Sequence, residues 1–201
     1  MNEPNSIVFS RCAIVRRDLV FVSAQLTELN SRGIDNTKVL RWKDGAFAHF
    51  MIDWACPAIS ATREPLKLLS MGIDGDIHFF QGTDKRIEKI DGPDTIGPLR
   101  DLRRIAGDYY AVGMQRQAYK RTPEGLWHSI ADPIRNVGSI KSFESIDGFA
   151  DSEIYSAGMD GEIWLFNGKS WQLLESPTSV ALHRVHCGEM ARCTLSANLA
   201  P

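Results

Sequence analysis

The chain has 201 residues and carries 23 Lys and Arg against 25 Asp and Glu, a formal net charge of −2. With 43% hydrophobic and 24% charged residues it has the usage of an ordinary globular protein, which excludes disordered, collagen-like and coiled-coil classes. The balanced charge leaves no electrostatic footprint for a nucleic-acid backbone, so no nucleic-acid partner is expected.

In chain order, the polar start Met1–Ser10 is followed by Arg16, Arg17 and Asp18 before the first apolar stretch, Leu19–Val22. A secretory signal does not have that shape, and no later run approaches the roughly 18 apolar residues of a membrane helix. A cytoplasmic protein with no membrane partner is expected. Strands are predicted over Leu19–Ser23 and Val39–Trp42, the latter turned by Lys43-Asp44-Gly45 into Ala46–Ile52, with Gln25–Asn36 inserted on a hairpin. Residues 69–80 then read Leu-Ser-Met-Gly-Ile-Asp-Gly-Asp-Ile-His-Phe-Phe. Pro98–Ile105 is read as a strand, because no segment sustains a 3.6-residue apolar stripe beyond two turns. Ser139–Ile146, Ser152–Ala157, Glu162–Phe166 and Trp171–Leu174 complete a further set of four strands.

The segments repeat. Residues 155–166, Tyr-Ser-Ala-Gly-Met-Asp-Gly-Glu-Ile-Trp-Leu-Phe, share the frame apolar-x-x-Gly-x-Asp-Gly-acid-Ile with residues 69–80. Between them the same frame recurs around Gly113, with Gln115-Arg116 in place of Asp-Gly. The turn pairs have a physical reading: Asp160-Gly161 suits a type I′ hairpin, in which both central residues need positive φ, and Asp74-Gly75 and Asn167-Gly168 carry signals of the same kind. Four short antiparallel strands in 40 to 45 residues is the period of a propeller blade. The fold class expected is all-β: a β-propeller of about four four-stranded blades plus the start of a fifth, with blades at about 10–56, 57–98, 99–138, 139–180 and a partial 181–189 in a single incomplete domain. A β-sandwich would space its strands similarly but would not repeat a glycine signature. Pro57, Pro93, Pro133 and Pro177 fall where one blade hands over to the next, since proline cannot donate to a ladder.

Residues 190–201 leave the pattern. Read from the third base of the Glu189 codon, the degenerate codons permit Asp-Gly and two further spaced glycines, so a frameshifted fragment of a longer propeller is one reading of the chain. A natural polar tail is the other.

The motifs resemble bacterial β-propellers of the WD40-like and photosystem-assembly-factor-like kind, over roughly residues 8–190. The Gly-His and Trp-Asp signature of WD40 repeats and the Ser-x-Asp-x-Gly-x-Thr-Trp box of sialidases are absent. Small propeller-like proteins of this look also occur beside secreted bacterial toxins as immunity proteins. What that resemblance implies is a non-catalytic module that binds and neutralises one toxin or effector protein.

Candidate chemistry is sparse. His183, His186 and Cys187 lie within five residues, but His186 faces away from the other two on a strand, so no metal and no cofactor is expected. Cys12, Cys56, Cys187 and Cys193 form no C-x-x-C pair, and free thiols are the expected state. No nucleophile elbow or phosphate loop occurs. A propeller-type lyase or hydrolase is the competing class, with His78 and His183 as the residues to test. Trp127 and Trp171 match in position after Gly113 and Gly158 and read as inter-blade core. Trp54, beside the loop 55–64, is the best aromatic for an exposed contact. Arg100, Arg103 and Arg104 form the compact basic cluster. The expected partner-binding residues are Trp54, Arg63, Pro93, Arg100, Arg103 and Pro133.

Overall fold

A computed structural model describes residues 6–135, 137–188 and 192–197. The chain divides into two compact units, 1–88 and 89–201. Unit 1 holds two four-stranded antiparallel sheets. The first runs in chain order through β1 (Ile7–Arg16), β2 (Leu19–Leu26), β3 (Thr37–Lys43) and β4 (Ala46–Ile52), with a short helix α1 (Thr27–Ser31) in the expected insertion. The second is β5 (Ala58–Thr62), β6 (Lys67–Met71), β7 (Asp76–Gln81) and β8 (Asp84–Lys89). Alternation drives both: Leu19, Phe21 and Val39 point to one face of the first sheet and pack on Ile59 and Leu68 of the second.

Unit 2 repeats the arrangement. After the helical turn α2 (Pro93–Ile96) come β9 (Leu99–Ile105), β10 (Asp108–Gly113), β11 (Ala118–Arg121) and β12 (Trp127–Ser129). A 3₁₀ turn, Asp132–Ile134, leads to β13 (Phe143–Ala150), β14 (Glu153–Gly158), β15 (Ile163–Phe166) and β16 (Trp171–Leu174). A two-stranded hairpin, β17 (Leu182–Gly188) and β18 (Arg192–Ala197), follows. Between the two sheets lies one core of Ile105, Tyr110, Val112 and Ala118 against Phe143, Ile146, Ile154, Trp164, Phe166 and Trp171. Each fully buried aliphatic or aromatic chain of this kind is worth about 1.5–3 kcal/mol. Trp171 joins that core and donates from Nε1 to the Ile130 carbonyl at 3.0 Å, whereas Trp127 is only half-buried.

Consecutive antiparallel sheets of four strands, each wound in chain order, give the propeller-type architecture that the repeat predicts. Three local expectations need correction. Asp160 and Gly161 both have positive φ (58° and 71°), as a type I′ turn demands, but at the other two pairs only the glycine does, Gly75 at 94° and Gly168 at 87°. The Asn167 side chain works instead as a turn staple, its Oδ1 accepting from the N–H of Lys169 and Ser170. Cys187 and Cys193 are not free thiols: they face each other across β17 and β18 and form a disulfide. Finally, of the stretch 190–201 expected to be off-pattern, 190, 191 and 198–201 lie outside the described residues, but Arg192–Ala197 forms a strand.

Candidate protein-binding surface

Because neighbouring strands are antiparallel, each sheet has two distinct ends. One carries the first and third hairpins; the other, the connector end, carries the second hairpin and the links between sheets. The repeat glycine sits at the connector end for a steric reason. A Cβ on Gly158 would lie 1.7 Å from the Ser142 carbonyl oxygen, and one on Gly113 would lie 2.5 Å from that of Pro98. The incoming link therefore crosses directly over the second strand, where Met114 N–H donates to Pro98 and Met159 N–H to Ser142. In unit 1, the position at Gly72 is filled by the Trp54 indole, whose Cδ1 is 2.7 Å from where a Cβ would stand.

The connector end of unit 2 holds a charged cluster. Gln115 and Arg116 occupy the second hairpin with φ of 55° and 56°, the left-handed conformation that costs a non-glycine residue about 1 kcal/mol or more. Their side chains explain why they are there. Gln115 Nε2 donates to the Ile96 carbonyl at 2.7 Å while its Oε1 accepts from Gly138 N–H at 3.1 Å, tying the link 90–98 to the link 130–142. Arg116 forms a two-pronged pair with Glu162, 2.8 and 2.7 Å, and its guanidinium lies over the Trp164 ring. Glu162 also accepts from Trp164 Nε1 at 3.0 Å and Lys141 Nζ at 2.9 Å, and Lys141 reaches Asp160 at 2.6 Å. Burial works against the Glu162 charge, but the donors from Arg116, Lys141 and Trp164 outweigh it and hold the carboxyl down at about 2. The hydrogen bond from Lys141 to Asp160, followed by that to Glu162, raises the lysine.

On the loop so braced, Val137 and Ile140 are each 77% exposed. Apolar side chains projected from a fixed loop beside ordered charges have the composition of a protein contact, with an apolar centre and a polar rim.

The residues expected from sequence do not converge on one spot. Pro93 and Pro133 belong to the two links that Gln115 joins; Pro93 is buried at the first position of α2 and Pro133 is exposed. Trp54 lies at the connector end of unit 1 but packs into that unit's core rather than projecting. Arg63 is at the opposite end of its sheet, in the β5–β6 hairpin, paired with Glu64 at 3.3 Å. Arg100 and Arg103 on β9 are half-buried and face carboxylates, Glu144 at 3.7 Å and Asp101 at 3.9 Å. Asp101 is itself buried and accepts from Ser145 Oγ and Ile146 N–H on β13, so this strip stitches first strands together. Sequence reasoning missed Gln115, Arg116, Lys141, Glu162, Val137 and Ile140. The signal was the replacement of Asp-Gly by Gln115-Arg116, a costly choice in that turn. Among the described residues no His, Cys, Asp and Glu group is arranged to hold a metal ion, and no helix is long and apolar enough to cross a membrane. His78 is half-buried, stacks on Phe50 at 5.1 Å, and is lowered by its burial and then by Lys85. The cleft nearby, lined by Phe21, Phe50, Leu66 and Phe80, has a volume of about 130 Å³, against the 300–1,000 Å³ or so of a small-molecule site.

The fold is that of a β-propeller repeat protein. Solved structures agree on the fold: the WD40 β-propeller domain of Doa1 matches 98% of the chain with a TM-score of 0.72 at 12% identity, and YCF48 bound to D1 peptide matches 97% with 0.66 at 12%, covering 64% and 62% of those chains. No family model matches. In sequence the chain is 34% identical over 199 residues to the immune protein Tsi7 of Pseudomonas aeruginosa PAO1, over 92% of its own length. The chain spans 65% of the length of that relative.

Proposed function

We propose that this protein is an immunity protein: a cytoplasmic, non-catalytic propeller that binds a cognate bacterial toxin and blocks it by covering its working surface. The identity to Tsi7 across nearly the whole chain carries the reading. The connector end of unit 2 is the proposed contact, with Val137 and Ile140 as the apolar centre, Lys141 and Arg135 on its rim, and the Pro93 and Pro133 links as its frame. A surface held by an ion-pair cluster loses little conformational freedom on binding, which favours tight association. Trp54, packed inward, and Arg63, at the opposite sheet end, are left outside this contact.

The test is co-expression with candidate toxin genes encoded beside this one, scored by survival and by pull-down. The proposal expects rescue and a nanomolar complex, with no chemical change to the toxin. Failure of rescue with every neighbouring toxin refutes it.

A further inference from the structure

Hydrogen bonding in unit 2 leaves two arginines with donors unspent. The Asp101 carboxylate on β9 is taken up by three other donors: Oδ2 accepts from Ser145 Oγ at 2.8 Å and Ile146 N–H at 3.3 Å, and Oδ1 from Leu102 N–H at 3.0 Å. Two guanidiniums nevertheless close on that same Oδ2, Arg103 Nε at 3.9 Å and Arg184 Nη1 at 3.6 Å. Both distances lie outside hydrogen-bonding range. Attraction to Asp101 holds the two guanidiniums together without satisfying them, and Arg103 Nε is buried with no hydrogen-bond partner.

The neighbouring carboxylates do not fill the gap. Asp147, further along β13, faces Cys187 N–H at 3.0 Å and His186 Nδ1 at 3.2 Å. Glu144 takes the Ser142 hydroxyl and lies 3.7 Å from Arg100, whose Nε is a second buried donor with no partner. Elsewhere unit 2 does complete such a pair, since Arg116 meets Glu162 with two bonds of 2.8 and 2.7 Å. A buried donor left unpaired is costly, more so on a charged group, and a guanidinium fork fits the edge of a carboxylate.

Charge and position narrow the ligand further. Two arginines against one aspartate leave one positive charge, which a single carboxylate cancels. A phosphate ester carries about −1.5 to −2 at pH 7 and would meet Asp101 with negative charge in excess. Both arginine side chains keep more than a third of their surface open, 37% and 38%, so a ligand reaches their outer nitrogens. Strand β9 leaves the 90–98 link that frames the proposed contact, and Arg103 stands five residues beyond that link. At 3.3–3.4 Å per residue that is about 17 Å, within the span of one interface of roughly 800 Å² per partner.

We infer that Arg103 and Arg184 form an oxyanion seat for one carboxylate of the protein partner, an aspartate or glutamate side chain that docks as the toxin covers the connector end of unit 2. The seat rests on hydrogen bonding within unit 2; the source of the carboxylate rests on the immunity reading.

The first probe is the peptide acetyl-Gly-Glu-Gly-amide, with acetyl-Gly-Gln-Gly-amide as its uncharged counterpart and inorganic phosphate as a third titrant, all at low salt. Nitrogen-15 spectra of the arginine Nε–H groups report binding directly. Expected are a saturable shift of the Arg103 signal with the glutamate peptide, none with the glutamine peptide, and weaker binding of phosphate. Arg103→Gln and Arg184→Gln should each weaken the peptide and the toxin complex about 10-fold or more while the melting temperature stays at the wild-type value. The inference is overturned if the glutamate peptide produces no shift, if the glutamine peptide shifts the signal equally, or if phosphate binds more tightly. A toxin complex indifferent to both variants overturns the inference alone. A seat that binds the glutamate peptide while no neighbouring toxin forms a complex overturns the immunity reading, and with it the assignment of the carboxylate to a toxin.

Discussion

Replacing Glu162 by Gln tests whether the charged cluster holds the contact surface in place. The substitution keeps the shape and one carbonyl acceptor but removes the charge that Arg116, Lys141 and Trp164 converge on. Its side chain is 11% exposed, so solvent screening is modest. The folded carboxyl titrates at about 2 against 4.5 for the free group, and at 1.36 kcal/mol per unit that gap is worth about 3 kcal/mol of stability at neutral pH. The sign follows from the depressed value: the contribution is complete above about pH 5, where the unfolded glutamate is ionised too, and is lost as pH falls toward 2. At pH 3 roughly half of it should remain, because the unfolded carboxyl is already protonated while most of the folded one is not. Urea unfolding of wild type and Glu162→Gln at pH 7 and pH 3, followed by tryptophan fluorescence, gives the difference directly. A stability difference of about 3 kcal/mol at pH 7 that halves at pH 3 is expected, since all other carboxyls titrate alike in both proteins. A difference below 0.5 kcal/mol at neutral pH, the range of an ordinary exposed pair, or one that does not change with pH, would refute the reasoning.

Gly158→Ala should prevent unit 2 from folding, because its Cβ would meet the Ser142 carbonyl at 1.7 Å; soluble yield and circular dichroism check this. Gly72→Ala should cost about 1–3 kcal/mol, the scale of overpacking, and become nearly neutral in a Trp54→Ala background, because the indole is what the new methyl meets; a double-mutant cycle by urea unfolding measures the coupling. Val137→Asp and Ile140→Asp should leave the melting temperature within a degree or two of wild type, both being exposed, while weakening toxin binding about 10- to 100-fold by calorimetry if they are the apolar centre.

The architecture was legible because a blade is a local object. A period of 40 to 45 residues, paired turns and an alternating pattern need no knowledge of distant contacts, and strands such as Ala46–Ile52 and Trp171–Leu174 form as the pattern predicts. The turn types were less legible. Asp160-Gly161 and Asp74-Gly75 have the same letters but different backbones, since the second loop closes with a Gly72 carbonyl to Gly75 N–H bond and leaves only the glycine left-handed. The surface was the least legible part. Arg116 and Glu162 are 46 residues apart and Gln115 and Gly138 are 23 apart, and no spacing rule connects them. The surroundings of Trp54 were hard to read for a related reason: a tryptophan ending a strand next to a loop shows nothing of the glycine that meets its ring 18 residues later.

What the sequence did display was an exception within its own repeat, and the exception has a structural reason. Two consecutive non-glycine residues in the left-handed region cost more than Asp-Gly would in the same turn. The neighbouring blade shows that the fold itself has no need of them. The cost is offset only by what the longer side chains reach, and both reach across to other segments: Gln115 to the links at Ile96 and Gly138, Arg116 to Glu162 and the Ile134 carbonyl. A turn that only reverses the chain would keep its glycine. One that gives it up to fasten two loops and the next blade is fixing the position of what those loops carry, and on the 130–142 link that is the exposed pair Val137 and Ile140. Stability is spent there on holding that surface still, which is what the proposed toxin contact calls for.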